Sequence, residues 1–287
     1  MKSLFLIFKW ILCALLILIY TSSFALEGAE DAIDTLYHHL GVKNKLEFSE
    51  LPYGFADSNP GISSRLNKPT LQKIENAALH DNNSYAQWVI GKLYEVKLKR
   101  VSDQHPLQTA QKFYTLAVSQ NFREAEFDLG NMIRNGFNKD PSEYQWEDLI
   151  TQSAQSGEPR AQTMMALYCT PNLLEKTSLL EKAEAQNYAY AAFNLGNEFY
   201  NLASEDVTDG RSYIENLSHA YAHYKKTVQI LDQWGLKNCG HICNHIHGEG
   251  ISGWWSGLGH VKIYEHACYL RSESQTKLNR MTPCEIL

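Results

Sequence analysis

The densest set of side chains capable of chemistry lies near the C-terminus. There Cys239-Gly-His241-Ile-Cys243-Asn-His245-Ile-His247 offers five nitrogen or sulfur donors in a short run. On a helix, Cys239, Cys243 and His247 share one face and His241 with His245 another; on a strand all five face one way. Either geometry gathers the three or four donors that zinc or copper requires, although the spacing matches no established zinc pattern. The alternative is oxidation, with Cys239 and Cys243 paired to each other or to Cys268 and Cys284 and the histidines left at the surface. Pairing is the simpler account, so metal is carried as an alternative.

Two other matches are weaker. Ser274-Gln-Thr-Lys277 has the Ser-x-x-Lys spacing of an acylated serine, without the companion motifs that give such a serine its chemistry. Gly248-Glu-Gly250-Ile-Ser-Gly253 has a Gly-x-Gly-x-x-Gly spacing, but no strand–helix unit surrounds it and Trp254-Trp255 replace the helix start. A turned loop fits better, its tryptophans buried against the preceding helices or presented as a contact point. No catalytic residue and no cofactor is expected, and the chain is read as a non-enzyme.

This tail follows a stretch in which one helical signature recurs. It reads Ala86-Gln-Trp-Val-Ile90-Gly91, then Ala125-Glu-Phe-Asp-Leu129-Gly130, Ala161-Gln-Thr-Met-Met165-Ala166 and Ala191-Ala-Phe-Asn-Leu195-Gly196. The alanines stand 39, 36 and 30 residues apart. Such a period signifies stacked helix pairs, not a single globular core. Each copy has a small or apolar pair about eight residues upstream of its alanine (Ala78-Leu79, Ala117-Val118, Ser153-Ala154, and Ala183) and a turn residue four before it (Asn82, Asn121, Gly157, Asn187). Glycine inside a helix costs about 1 kcal/mol relative to alanine. Gly91, Gly130 and Gly196 therefore make sense if another helix crosses there at close range. Ala86, Ala125, Ala161 and Ala191 are assigned the same packing role one turn earlier.

Second helices follow each turn. Pro106-Leu-Gln-Thr-Ala110-Gln-Lys-Phe113-Tyr114 has proline in its first turn, and Asp140-Pro141-Ser-Glu-Tyr144-Gln-Trp146 repeats the arrangement with Asp140 as N-cap. Ser212 to Leu231 reads as one long helix, and a last helix is expected over His260 to Ser272. Leu71 to His80 is expected as a helix, and Phe48 to Lys68, rich in Pro, Gly and Ser, as a loop.

With these residues in place, the chain resembles the Sel1-like repeat family, relatives of tetratricopeptide arrays. That family joins an Ala-x-x-x-Leu-Gly-x-x-Tyr helix to a Lys-Ala-x-x-Trp/Tyr-Tyr helix, and Ala110 with Phe113-Tyr114, and His219-Ala220 with His223-Tyr224, stand where the second half belongs. The third copy departs, with Ala166 for Gly and a shortened following spacing, which predicts altered packing or a shorter loop. The resemblance implies an all-α fold, a right-handed α-solenoid of antiparallel helix pairs with capping segments at both ends. It also implies a concave protein-binding surface in place of an active site, and an adaptor, regulatory or host-contact role for exported bacterial members. The disulfides that cysteine-rich members carry within each repeat do not transfer, because the repeats here contain only Cys169.

The N-terminus leads to the expectation of an exported chain. Lys2 and Lys9 precede and open an apolar run to Tyr20, and Ser23-Phe-Ala25 gives small residues at the positions a signal peptidase reads. A periplasmic or secreted protein cleaved near Ala25 is expected, an uncleaved anchor being the alternative. Removal of residues 1–25 leaves 24 basic against 32 acidic side chains, so the charge falls from -6 to -8. An acidic surface without a basic patch speaks against nucleic acid and against membrane lipid once the signal is gone. The organisation is therefore a signal peptide (1–25), an N-terminal helix and loop acting as cap (26–70), helical repeats (71–231) and a Cys/His- and Gly-rich tail (232–287). The expected partner is another protein, met by aromatic side chains left over from the stacking pattern: Trp88, Tyr144, Trp146 and Tyr190. A narrower form is an immunity or inhibitor protein whose acidic surface complements a basic toxin or cell-wall enzyme.

Overall fold

The computed structural model describes residues 28–51, 55, 61, 66–98, 105–137, 144–205, 210–233, 267 and 269–277. The signal segment, the Cys239–His247 cluster, Gly248–Gly253, Trp254-Trp255, Cys268 and Cys284 lie outside them. The described residues are helices joined by turns: α1 (28–40), α2 (Lys45–Ser49), α3 (Lys68–Leu79), α4 (Ser84–Glu95), α5 (Pro106–Val118), α6 (Arg123–Arg134), α7 (Trp146–Gln155), α8 (Pro159–Tyr168), α9 (Leu173–Glu184), α10 (Ala189–Glu205), α11 (Gly210–Gln233) and α12 (267–277). This is the all-α, helix-pair construction expected from the repeat signature.

The turn residues explain how each signature helix starts. Asn82, Asn121, Gly157 and Asn187 all have positive φ, at 50°, 57°, 86° and 60°. Asparagine and glycine tolerate this left-handed conformation better than other residues, and it lets the next amides reach back to the ending helix. Phe122, Glu158 and Tyr188 donate their N–H groups to the carbonyls of Ala117, Ser153 and Ala183 at 3.2, 3.0 and 3.3 Å. The upstream small residues are thus the acceptors of the turn. The new helix is capped in turn, as Asn83 accepts from Ala86 N–H and Glu158 from Ala161 N–H, both at 2.8 Å.

Several boundaries differ from those expected. α3 begins at Lys68, with Pro69 in the first turn where its missing N–H costs nothing. Phe48 does not open a loop; it belongs to α2 and is fully buried. α7 begins at Trp146 behind Gln145, so Tyr144 precedes the helix, and Asp140 and Pro141 lie outside the described residues. α11 runs from Gly210 to Gln233, two residues longer at each end than predicted. The short third spacing has a plain cause. Cys169–Asn172 joins α8 to α9, whereas Val96–His105 and Asn135–Gln145 join the earlier pairs.

The chain divides into two compact units; the change falls in the last turn of α6, after Met132, so that Ile133–Asn135 belong to the second. In the first, α1 to α6 enclose Ile33, Leu36, Ile74, Ile90, Leu93 and an aromatic run. Phe48 lies 4.9 Å from Tyr37 and 5.5 Å from Trp88, ring centre to ring centre, and Trp88 lies 5.9 Å from both Tyr85 and Phe122. The N-terminal helices thus pack their aromatic residues against α4. In the second unit α10, α11 and α12 share a core of Ala189, Ala192, Phe193, Ala220, Tyr224 and Leu270. Glu273 of α12 accepts a 2.7 Å hydrogen bond from Tyr200 of α10, and Lys277 donates to the same tyrosine oxygen.

Candidate functional site

The four side chains singled out for partner contact part company in the structure. Trp88 is a correction. It is fully buried and donates its indole N–H to Asp128 at 2.7 Å, binding α4 to α6 within the first unit. Its position in the signature gave no reason to exempt it from packing, since a large ring between repeats fills the gap that stacking leaves. Tyr144, Trp146 and Tyr190 are half-buried in the second unit.

Trp146 has a neighbour that sequence reasoning did not single out. The guanidinium carbon of Arg134, in the last turn of α6, sits 5.9 Å from the Trp146 ring centre and 4.8 Å from that of Tyr168. Both distances are within cation–π range. Tyr168 ends α8 and is 58 % exposed, and Leu174, in the first turn of α9, is 80 % exposed. Tyr190 lies near enough to Tyr168 for a tyrosinate there to oppose its ionisation, although burial is the larger cause of its raised pKa. Helix ends bring three of these groups together: α6 supplies Arg134, α7 begins with Trp146 and α8 ends on Tyr168. Tryptophan, tyrosine and arginine are the residues that dominate binding energy at protein interfaces. The signal available in the sequence was the position of Arg134 and Tyr168 at the ends of signature helices, outside the stacking positions.

The packing roles are clearer. A side chain at Gly91 would meet the Tyr114 ring at 2.6 Å and the Ala110 carbonyl at 3.3 Å; at Gly196 it would meet the Tyr224 ring at 2.5 Å. Ala86, Ala125, Ala161, Ala166 and Ala191 are fully buried, and Gly130 is buried in α6. One position after the repeated alanine is polar in three copies. Gln87 donates to the Ala78 carbonyl at 3.1 Å and accepts from Gln120 at 2.7 Å; Gln162 donates to the Ala154 carbonyl at 3.3 Å and accepts from Gln186 at 3.2 Å. The second copy has Glu126 there, buried, with neither carboxyl oxygen hydrogen-bonded to another described residue. Burial first and the neighbouring Glu124 second raise its pKa. Burial also opposes ionisation of Glu124, but Lys45 at 2.6 Å and Arg123 at 3.1 Å outweigh it and hold its pKa below the ordinary value.

The Ser-x-x-Lys spacing does not form a nucleophile and base. Ser274 Oγ is buried without a hydrogen-bond partner among the described residues, and Lys277 is engaged with Tyr200 and Glu273. Burial alone would lower the lysine pKa, but those two bonds raise it, so the ammonium stays protonated at neutral pH. Among the described residues no group of three or more His, Cys, Asp or Glu side chains is placed to hold a metal ion. No described helix is long and apolar enough to cross a membrane. Cys169 is exposed and has no disulfide partner among the described residues.

The fold and this face define a helix-pair array with an aromatic surface. The chain is similar to a Sel1 repeat protein from Oxalobacter formigenes, at 17% identity and a TM-score of 0.45 over 80% of this chain and 88% of that one. It is similar to an immunity protein from Pseudomonas aeruginosa, at 17% identity and a TM-score of 0.42 over 76% and 78%. It is also similar to a protective antigen of uropathogenic Escherichia coli strains displaying an SLR fold, at 16% identity and a TM-score of 0.43 over 85% and 58%. Neither a protein-family model nor a curated protein matches the chain. At these identities and TM-scores the likeness assigns no function, which has to be argued from the site.

Proposed function

We propose that the chain is a Sel1-like, non-enzymatic protein-binding scaffold, exported through residues 1–25 and working in the periplasm or outside the cell. Its helix pairs hold the Arg134 face for another protein. The observation that carries this reading is the guanidinium of Arg134 lying 4.8 Å from a Tyr168 ring that is more than half exposed. A rigid aromatic ring loses little conformational freedom on binding, and a cation already seated on it fixes its orientation. Helices, not loops, supply most of the face, so it is formed before the partner arrives.

The test is site-specific photo-crosslinking in cells. A photoreactive phenylalanine at position 168 is expected to yield one discrete adduct, and the same residue at exposed Leu79 or Leu116 of the first unit is expected to yield none. Equal adducts at all three positions, or none at 168, would overturn the reading. Export is checked separately, by N-terminal sequencing of protein recovered from the periplasm, which should begin after Ala25.

A further inference from the structure

We infer that the Arg134 guanidinium takes a carboxylate from the partner protein, an Asp or Glu side chain set beside an apolar residue that covers Tyr168. This rests on the scaffold reading above and adds the chemistry of the segment that binds. Arg134 is exposed, and its neighbours are two aromatic rings, with the guanidinium carbon 5.9 Å from the Trp146 ring centre and 4.8 Å from that of Tyr168. Among the described residues it has no hydrogen bond and no ion pair. Glu147 and Asp148, which follow Trp146 in the chain, do not pair with it. Other cations of the second unit are used internally, as Arg160 pairs with Glu158 and Lys176 with Glu198.

The rings attract the charge but leave the five N–H donors of the guanidinium to solvent. A partner that covers the Tyr168 ring, which is 58 % exposed, takes water away from those donors as well. A desolvated charge without a partner is costly, so the covering segment has to bring an acceptor with it. A carboxylate matches the guanidinium fork with two parallel hydrogen bonds and cancels its charge, which a neutral amide does not. A lysine or arginine at that point meets like charge. Nucleic acid needs a row of cations, whereas this chain carries 32 acidic against 26 basic side chains. A single carboxylate on a protein segment is the acceptor that suits one exposed arginine.

The experiment titrates the full mature chain, isotope-labelled for NMR, with three short peptides that share a leucine and carry glutamate, glutamine or lysine beside it. Inorganic phosphate is the fourth titrant. The glutamate peptide is expected to move the Arg134 Nε–H resonance and to bind about tenfold more tightly than the glutamine peptide, as a charge-assisted bond exceeds a neutral one. The lysine peptide should bind most weakly. R134Q should make the glutamate and glutamine peptides equal, and R134K, which keeps the charge without the fork, should leave a preference of about twofold. K182Q removes another exposed charge, on α9, and should leave the full preference intact. Both positions are exposed, so the melting temperatures should stay put. An equal loss in K182Q would show bulk charge alone and overturn the assignment to Arg134. Phosphate displacing the glutamate peptide at equal concentration would show a site for any small anion and overturn the carboxylate class. Equal binding of all three peptides, or none, would overturn it too, while the crosslink at position 168 would still stand or fall by itself.

Discussion

Gly91 has no room for a side chain because the ring of Tyr114 fills that space, and Tyr224 stands over Gly196 in the same way. Each tyrosine lies four residues after a buried alanine, Ala110 or Ala220, so both crossings use the same two-residue footprint. In the third copy Gly becomes Ala166, and the position three before its small residue Ala183, where Tyr114 stands before Ala117, is Leu180; both are fully buried. The smaller partner accompanies the added methyl. G91A is expected to destabilise the fold by about 1–3 kcal/mol, because overpacking outweighs the gain in helix propensity. Combining it with Y114L should recover part of the loss. Chemical denaturation of the two single variants and the double variant measures the coupling.

Glu126 occupies the slot that glutamine fills in the first and third copies. Glutamine can donate to the preceding helix, whereas a carboxylate only accepts, which leaves Glu126 buried without a hydrogen bond among the described residues. Because its folded pKa is raised, its contribution is whole below the ordinary value of 4.5 and is lost as the pH rises through the folded value. E126Q is expected to raise stability by about 1–2 kcal/mol at neutral pH. That gain should vanish near pH 4, where the carboxyl is protonated in both states. A gain of equal size at both pH values would contradict this account.

Glu158 and Arg160 form a buried pair at 2.6 Å, and the same carboxylate caps α8 through Ala161 N–H. R160M removes the guanidinium that pairs with that buried carboxylate and is expected to cost about 3–5 kcal/mol. Replacing both, as E158S/R160M, keeps a capping hydroxyl and removes the charge. The double variant should therefore be the more stable of the two in urea.

The left-handed turns offer a backbone test. Asn121 and Asn187 have φ of 57° and 60°. N121A or N187A is expected to cost about 1–2 kcal/mol, the penalty of a Cβ in that region. N121G or N187G should be close to neutral, as glycine adopts it freely. Thermal melts of the four variants check the order.

The sequence by itself determined the helix pairs and their register. Alanine, glycine and the turn asparagines recur because each is forced locally: a left-handed turn needs Asn or Gly, and a close crossing needs the smallest residue. Local requirements of that kind repeat with the chain and can be read along it. The tertiary structure decided what each large side chain does. Trp88 and Trp146 look alike in sequence, as aromatic residues of amphipathic helices. One is enclosed by Phe48, Tyr85 and Phe122 and bonded to Asp128, while the other stays half-exposed beneath Arg134. Burial depends on which neighbours arrive from 40 residues or so away, and the helical period carries no record of them. The face around Arg134 is a product of the same kind. It is assembled from the ends of three helices whose residues become neighbours only when the pairs stack.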